Sequence, residues 1–153
     1  MIQVGRSKNL NQFEPMTNSN ARSDAFWRRV FQSTAVFNVA IAASLLVVPS
    51  HFFVDIGFRP VPVPSVYVHG FALAVALFGL AYYWVSRDLS ERSLVQLGLL
   101  SKLAVFAIML GHVWLGDASW HSMALGCVDL IYVVLFDAFL RRAPAVRDDP
   151  LPA

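Results

Sequence analysis

The chain has 153 residues, of which 57% are hydrophobic and only 14% charged, with 12 Phe and 4 Trp. A soluble domain carries about 25% charged residues, so a soluble single-core protein is excluded in favour of apolar runs solvated by lipid. The net charge of +2 gathers at the two ends and in one turn, without the basic stripe and interleaved aromatics that would point to nucleic acid.

Residues 1–25 are polar, rich in Asn and Ser, and predict a flexible tail, with a short interfacial piece around Phe13 as an option. A secretory signal is not expected, because the first apolar run begins deep in the chain and no Ala-x-Ala site follows it. A transmembrane domain is expected over residues 26–142. Its first span runs from about Phe31 to Val48, after Arg28 and Arg29, with Phe26 and Trp27 as an interfacial first turn, Asn38 as its one strongly polar interior residue and Pro49 as its stop. The loop Ser50–Ser65 alternates Pro60, Pro62 and Pro64 with valines, which favours an extended path. Its first part, His51–Phe58, can lie as a short amphipathic helix on the bilayer.

The second span is expected over Val66–Val85, with small-residue pairs Gly70/Ala74 and Ala72/Ala76 for close packing and an aromatic belt of Tyr82, Tyr83 and Trp84. In the charged turn Ser86–Ser93, Asp88 or Ser90 is placed to cap the next helix. The third span covers about Leu94–Leu115 and carries Gln96, Gly98, Lys102, Gly111 and His112. Gly116, Asp117 and Ser119 predict a tight turn. The fourth span, Trp120–Leu140, holds His121, Gly126, Asp129 and Asp137, and the single cysteine, Cys127, reads as a small buried hydrophobe with no CxxC partner. Residues 143–153 form a second flexible tail. The expected fold is all-α: an antiparallel bundle of four transmembrane helices.

Four spans put both ends on one side, and charge selects the side. Arg6, Lys8, Arg22, Arg28, Arg29, Arg87, Arg92, Arg141, Arg142 and Arg147 belong to the tails and the central turn, against Arg59 alone in the opposite loops. The positive-inside rule then places both termini in the cytoplasm.

All four histidines fall toward the other face. His51 follows the first span, His69 lies near the start of the second, His112 near the end of the third, and His121 opens the fourth, each within ~5 Å of one boundary at 1.5 Å rise per residue. Such a layer can bind a transition metal, with Asp55 or Asp117 adding a carboxylate, or His69 and His112 can hold a haem axially. The plainer alternative is four interfacial imidazoles with no ligand, and no HExxH spacing decides between the two.

Lys102 and Asp129 form the second constellation. They lie ~12 and ~13 Å from opposite boundaries of spans joined by a tight turn, so in a core ~30 Å thick their depths nearly meet. Either charge alone at that depth is costly, and pairing inside the bundle removes the cost. Lys102, Phe106, Met109 and Val113 share one stripe of the third span; Asp129, Gly126, Ser122 and Tyr132 share one face of the fourth. Asn38 and Gln96 can extend the network, while Asp137 is expected to meet Arg141 one turn on. The pair can be a proton relay, a polar pocket or an acid/base couple, or a salt bridge that only orients two helices.

The glycine- and lysine-bearing segment LVQLGLLSKLAVFAIMLGH, the final span GCVDLIYVVLFDAFLRR, and the central run GLAYYWVSRDLSERSLVQLGLLSK together resemble the DoxX-like superfamily of small four-span bacterial membrane proteins, over residues 26–142. That resemblance implies a four-span bundle in a bacterial inner membrane and an accessory role, some members being linked to redox or sulfur metabolism. The plan is also similar to that of sterol-isomerase-like membrane proteins, which use intramembrane carboxylates. This chain lacks a rich set of those, so no catalytic role is carried over. Three functions are expected to compete. The first is an accessory subunit, a partner of other membrane subunits or of a second copy, or a binder of an apolar small molecule. The second is a redox protein or enzyme using the histidine layer with a metal or haem. The third is a small-solute transporter dimerising around Lys102 and Asp129.

Overall fold

The computed structural model describes residues 14–47, 54 and 64–142. Helix α1 spans Glu14–Val47, α2 Ser65–Arg87, α3 Arg92–Leu115 and α4 Met123–Arg141, the last entered through a 3₁₀ turn at Trp120–Ser122. All four helices are long and apolar enough to cross a membrane, and no strand occurs among the described residues. The protein is therefore an all-α, multi-pass integral membrane protein whose outer surface contacts lipid. Large side chains such as Leu77, Ile108, Trp114 and Ile131 point outward, as they do when the solvent is as apolar as the interior.

The span boundaries agree with expectation except at the start. Helix α1 begins at Glu14, so the segment 14–25, expected as tail, is helical. Its Asn and Ser residues are weak helix formers, but extending an existing helix costs far less than nucleating one, and Pro15 suits a first turn. The Ser50–Ser65 loop, with the interfacial helix expected there, lies outside the described residues apart from Val54, Pro64 and Ser65. Neither Asp88 nor Ser90 caps α3: its N-cap is Glu91 with no side-chain capping bond, and Asp88 instead accepts the Ser90 amide at 2.9 Å within the turn. Gly116 closes α3 in the left-handed region at φ 80°, the conformation glycine adopts without steric cost.

The helices pair as two hairpins, α1 with α2 and α3 with α4, and the hairpins meet more sparingly through α2–α3 and α1–α4. Within the first hairpin the close approach is at Gly79, where an added Cβ would lie 3.0 Å from Val39 Cγ2 and 3.2 Å from Ala35 O. Ala72 is buried on the same helix, whereas Gly70 has nothing within 4 Å. Of the two expected small-residue pairs, only the one containing Ala72 faces a neighbour.

Packing is uneven along the bundle axis. At the end bearing the termini and the Arg87–Arg92 turn, Phe31, Tyr82, Val85, Val95, Phe136 and Phe139 form the core. Phe31 meets Phe136 and Phe139 at ring separations of 5.2 and 5.0 Å. Arginines close that end by satisfying helix C-terminal carbonyls, which have no partner within their own helix. Arg28 of α1 donates to Ser86 O and Arg87 O at 2.7 Å each. Arg92 of α3 donates to Leu140 O, and to Arg142 O at 3.2 Å. Arg142 also pairs with Asp24 at 2.8 Å, tying α4 to α1, and Arg141 meets Asp137 at 2.7 Å as expected. The aromatic belt divides: Tyr83 and Trp84 face outward, but Tyr82 is fully buried. Cys127, expected to be buried, faces outward from α4, an apolar position because lipid surrounds it.

Candidate functional site

The site is built at mid-depth, where the packed half of the bundle ends. Lys102 is ten residues into α3, or ~15 Å along the axis, and Asp129 is twelve residues before the end of α4, or ~18 Å. Lys102 Nζ donates to Asp129 Oδ1 and lies 3.4 Å from Asn38 Oδ1 of α1. The three residues are all buried. A lone charge here would be expensive; a hydrogen-bonded opposite charge with a neutral amide beside it reduces that cost.

Three rings surround the ammonium. Its nitrogen lies 5.7 Å from the Phe37 centroid, 5.7 Å from Tyr82 and 5.2 Å from Tyr132, all within the range in which a cation is attracted to an aromatic face. Every helix thus contributes to holding this one charge: Phe37 and Asn38 from α1, Tyr82 from α2, the lysine itself from α3, Asp129 and Tyr132 from α4. Tyr82 is held in place by Phe136, 5.3 Å away between centroids, and its hydroxyl is buried beside Gly98.

Beyond this layer, away from the termini, the hairpins separate and enclose a cavity of about 380 Å³. Its walls are apolar: Ile41 from α1, Phe71 and Phe78 from α2, Val105 and Met109 from α3, and Leu125 from α4. Asn38, Tyr82, Ser101, Lys102 and Asp129 form its polar floor, and His112 stands at its far end. The cavity follows from sequence locally. Helix α2 offers Ala74 and Val75 to the cavity, side chains too small to reach across to α3, while at Gly98 on the packed side the Tyr82 ring fills the gap completely.

The structure brings Lys102 and Asp129 together, with Asn38 beside them. The inward stripe of α3 includes Lys102 and Met109, the inward face of α4 includes Gly126 and Asp129, and Ser122 is buried in the 3₁₀ turn before α4. Gln96, expected to extend the network, is exposed on another face of α3. The histidines are more scattered. His69 is exposed near the start of α2. The exposed His112 has Nδ1 at 3.3 Å from Asp117 Oδ2, and His121 Nδ1 is 3.4 Å from Ser119 Oγ. His51 lies outside the described residues, and among those described no group of three or more His, Cys, Asp or Glu is placed to hold a metal ion. Phe37 and Tyr82 were absent from the sequence-based constellation. The only hint for Phe37 is its position beside Asn38, and nothing in the run Tyr82–Trp84 marks which aromatic turns inward.

No family model, curated protein or solved structure matches this chain. The DoxX-like resemblance therefore rests on span plan and polar accents alone.

Proposed function

We propose that this membrane protein binds a lipid-soluble small molecule in the cavity between its two helix hairpins, as an accessory component of the membrane rather than through a soluble catalytic centre. The observation that carries the proposal is the cavity of about 380 Å³ bounded by apolar walls and ending on a polar floor. Protein interiors are packed with few voids larger than a water molecule. Ligand sites are concave, mostly apolar, of about 300–1,000 Å³, with a few convergent polar groups. The other half of the same bundle is fully packed, so the opening is local rather than a general looseness of the helices.

The test is to fill the cavity from a wall residue that makes no polar contact. Ala74→Phe and Val75→Phe are expected to weaken binding of 1-aminoanthracene, a fluorophore that brightens in apolar surroundings, at least tenfold in micelles. Circular dichroism and the unfolding temperature should stay unchanged or rise. Equal binding by the variants and the parent chain would refute the cavity as the site.

We propose further that both termini lie in the cytoplasm, in a bacterial inner membrane. The asymmetry of ten Lys and Arg residues against Arg59 supports this orientation. Reporter fusions after Arg142 and within the Arg87–Arg92 turn should be active on the cytoplasmic side, and fusions at Asp117 on the exterior. An exterior signal from the Arg87–Arg92 turn would reverse the orientation.

A further inference from the structure

We infer that the molecule held in the cavity is a neutral lipid-soluble alcohol, whose hydroxyl donates to Asp129 Oδ2; the inference rests on the cavity being the binding site. The polar atoms of the floor that remain available select the ligand group. Lys102 has 5% of its side chain accessible and Asp129 12%, and rings close around the ammonium at 5.7, 5.7 and 5.2 Å. Both line the cavity, and the carboxylate is the more accessible of the two. Lys102 engages its Oδ1, and among the described residues no donor reaches Oδ2. The other neighbouring groups, the Asn38 amide nitrogen excepted, are already committed or sealed. Asn38 Oδ1 faces Lys102 Nζ, Ser101 Oγ donates to Gly98 O at 2.9 Å, and the Tyr82 hydroxyl is inaccessible beside Gly98. The floor therefore offers an ionised acceptor in Oδ2 and a neutral donor in the Asn38 amide nitrogen, so a ligand group that both donates and accepts fits it best.

Charge then selects among donors. Lys102 and Asp129 together sum to zero, and a net charge in an apolar site near the membrane centre is strongly disfavoured. An ammonium ligand would leave a net positive charge there, and a carboxylate ligand would meet Oδ2 as a like charge. A neutral hydroxyl keeps the balance and gains a hydrogen bond to an ionised acceptor, which is stronger than one between neutral groups. The walls ask for an apolar body, and the volume accommodates roughly twenty non-hydrogen atoms at interior packing density.

The experiment uses the full chain in micelles and a series that shares one twelve-carbon chain: 1-dodecanol, 2-dodecanone, dodecanoate, dodecylammonium and dodecane. Each competes with 1-aminoanthracene, compared at equal mole fraction in the micelle. The half-displacing mole fraction of 1-dodecanol is expected at least tenfold below those of the other four. In Lys102→Met/Asp129→Leu, which removes both charges and leaves neither unpaired, 1-dodecanol should fall to the level of dodecane. If that variant does not fold, the ligand series on the parent chain decides alone. A ketone as tight as the alcohol, or an ammonium or carboxylate tighter than it, would overturn the donor assignment and leave the cavity reading standing. Displacement that is the same in the parent and in Ala74→Phe would overturn the cavity reading and this inference with it.

Discussion

Replacing Lys102 by methionine is expected to cost roughly 3–5 kcal/mol of folding stability, and adding Asp129→Leu to the same chain is expected to restore most of it. The expectation follows from the burial of both partners and from their direct hydrogen bond. Removing one leaves the other without its counter-charge in an apolar interior, with a neutral amide nearby, Asn38 Oδ1 for the lysine at 3.4 Å. Removing both exchanges two desolvated ions for packed apolar side chains, which is commonly near neutral. Asp129→Leu alone should be damaging too, although the three rings around the ammonium soften its penalty through attraction to their faces. A double-mutant cycle by reversible unfolding in mixed micelles reads the coupling directly. Additive losses, with no recovery in the double variant, would show that the pair does not carry the folding energy assigned to it.

Gly98→Ala and Gly111→Ala, the same change on the same helix, are expected to act in opposite directions. A Cβ at Gly98 would lie 2.6 Å from Cε1 and 2.7 Å from the hydroxyl of Tyr82. Ring-end contacts can often relax, but this ring is 1% exposed and set against Phe136 at 5.3 Å and Phe78 at 6.3 Å. Overpacking of this kind costs about 1–3 kcal/mol. At Gly111 nothing lies within 4 Å of the added atom, so the change removes only glycine's backbone entropy and should be neutral or stabilising by up to ~1 kcal/mol. In a Tyr82→Ala background the penalty at Gly98 should vanish, although that background is itself less stable by about 3–5 kcal/mol. If Gly98→Ala were as benign as Gly111→Ala, α2 and α3 would not be in the contact described.

How much of this was legible in the chain differs between levels. The spans Val66–Val85 and Leu94–Leu115 were readable nearly to the residue, because a membrane crossing is declared by some twenty consecutive apolar side chains and needs no knowledge of neighbours. The meeting of Lys102 with Asp129 was readable for a related reason. Helical rise is constant, the Gly116–Ser119 turn leaves no choice but adjacency, and two opposite charges at one depth in lipid have few other partners. Residues 14–25 misled because their propensities are weak one by one, while helix extension is cooperative. Rotation about each helix axis was the quantity hidden from the chain. Tyr82 and Tyr83 are adjacent and chemically identical, yet one is buried and the other faces lipid. In water an apolar stripe would have told them apart. In a bilayer the outside is as apolar as the inside, so hydropathy carries no phase. The ring box around Lys102, the exposure of Gln96, the contact at Gly98 and the cavity between the hairpins all depend on that phase. They became visible only where the side chains of four helices were placed against one another.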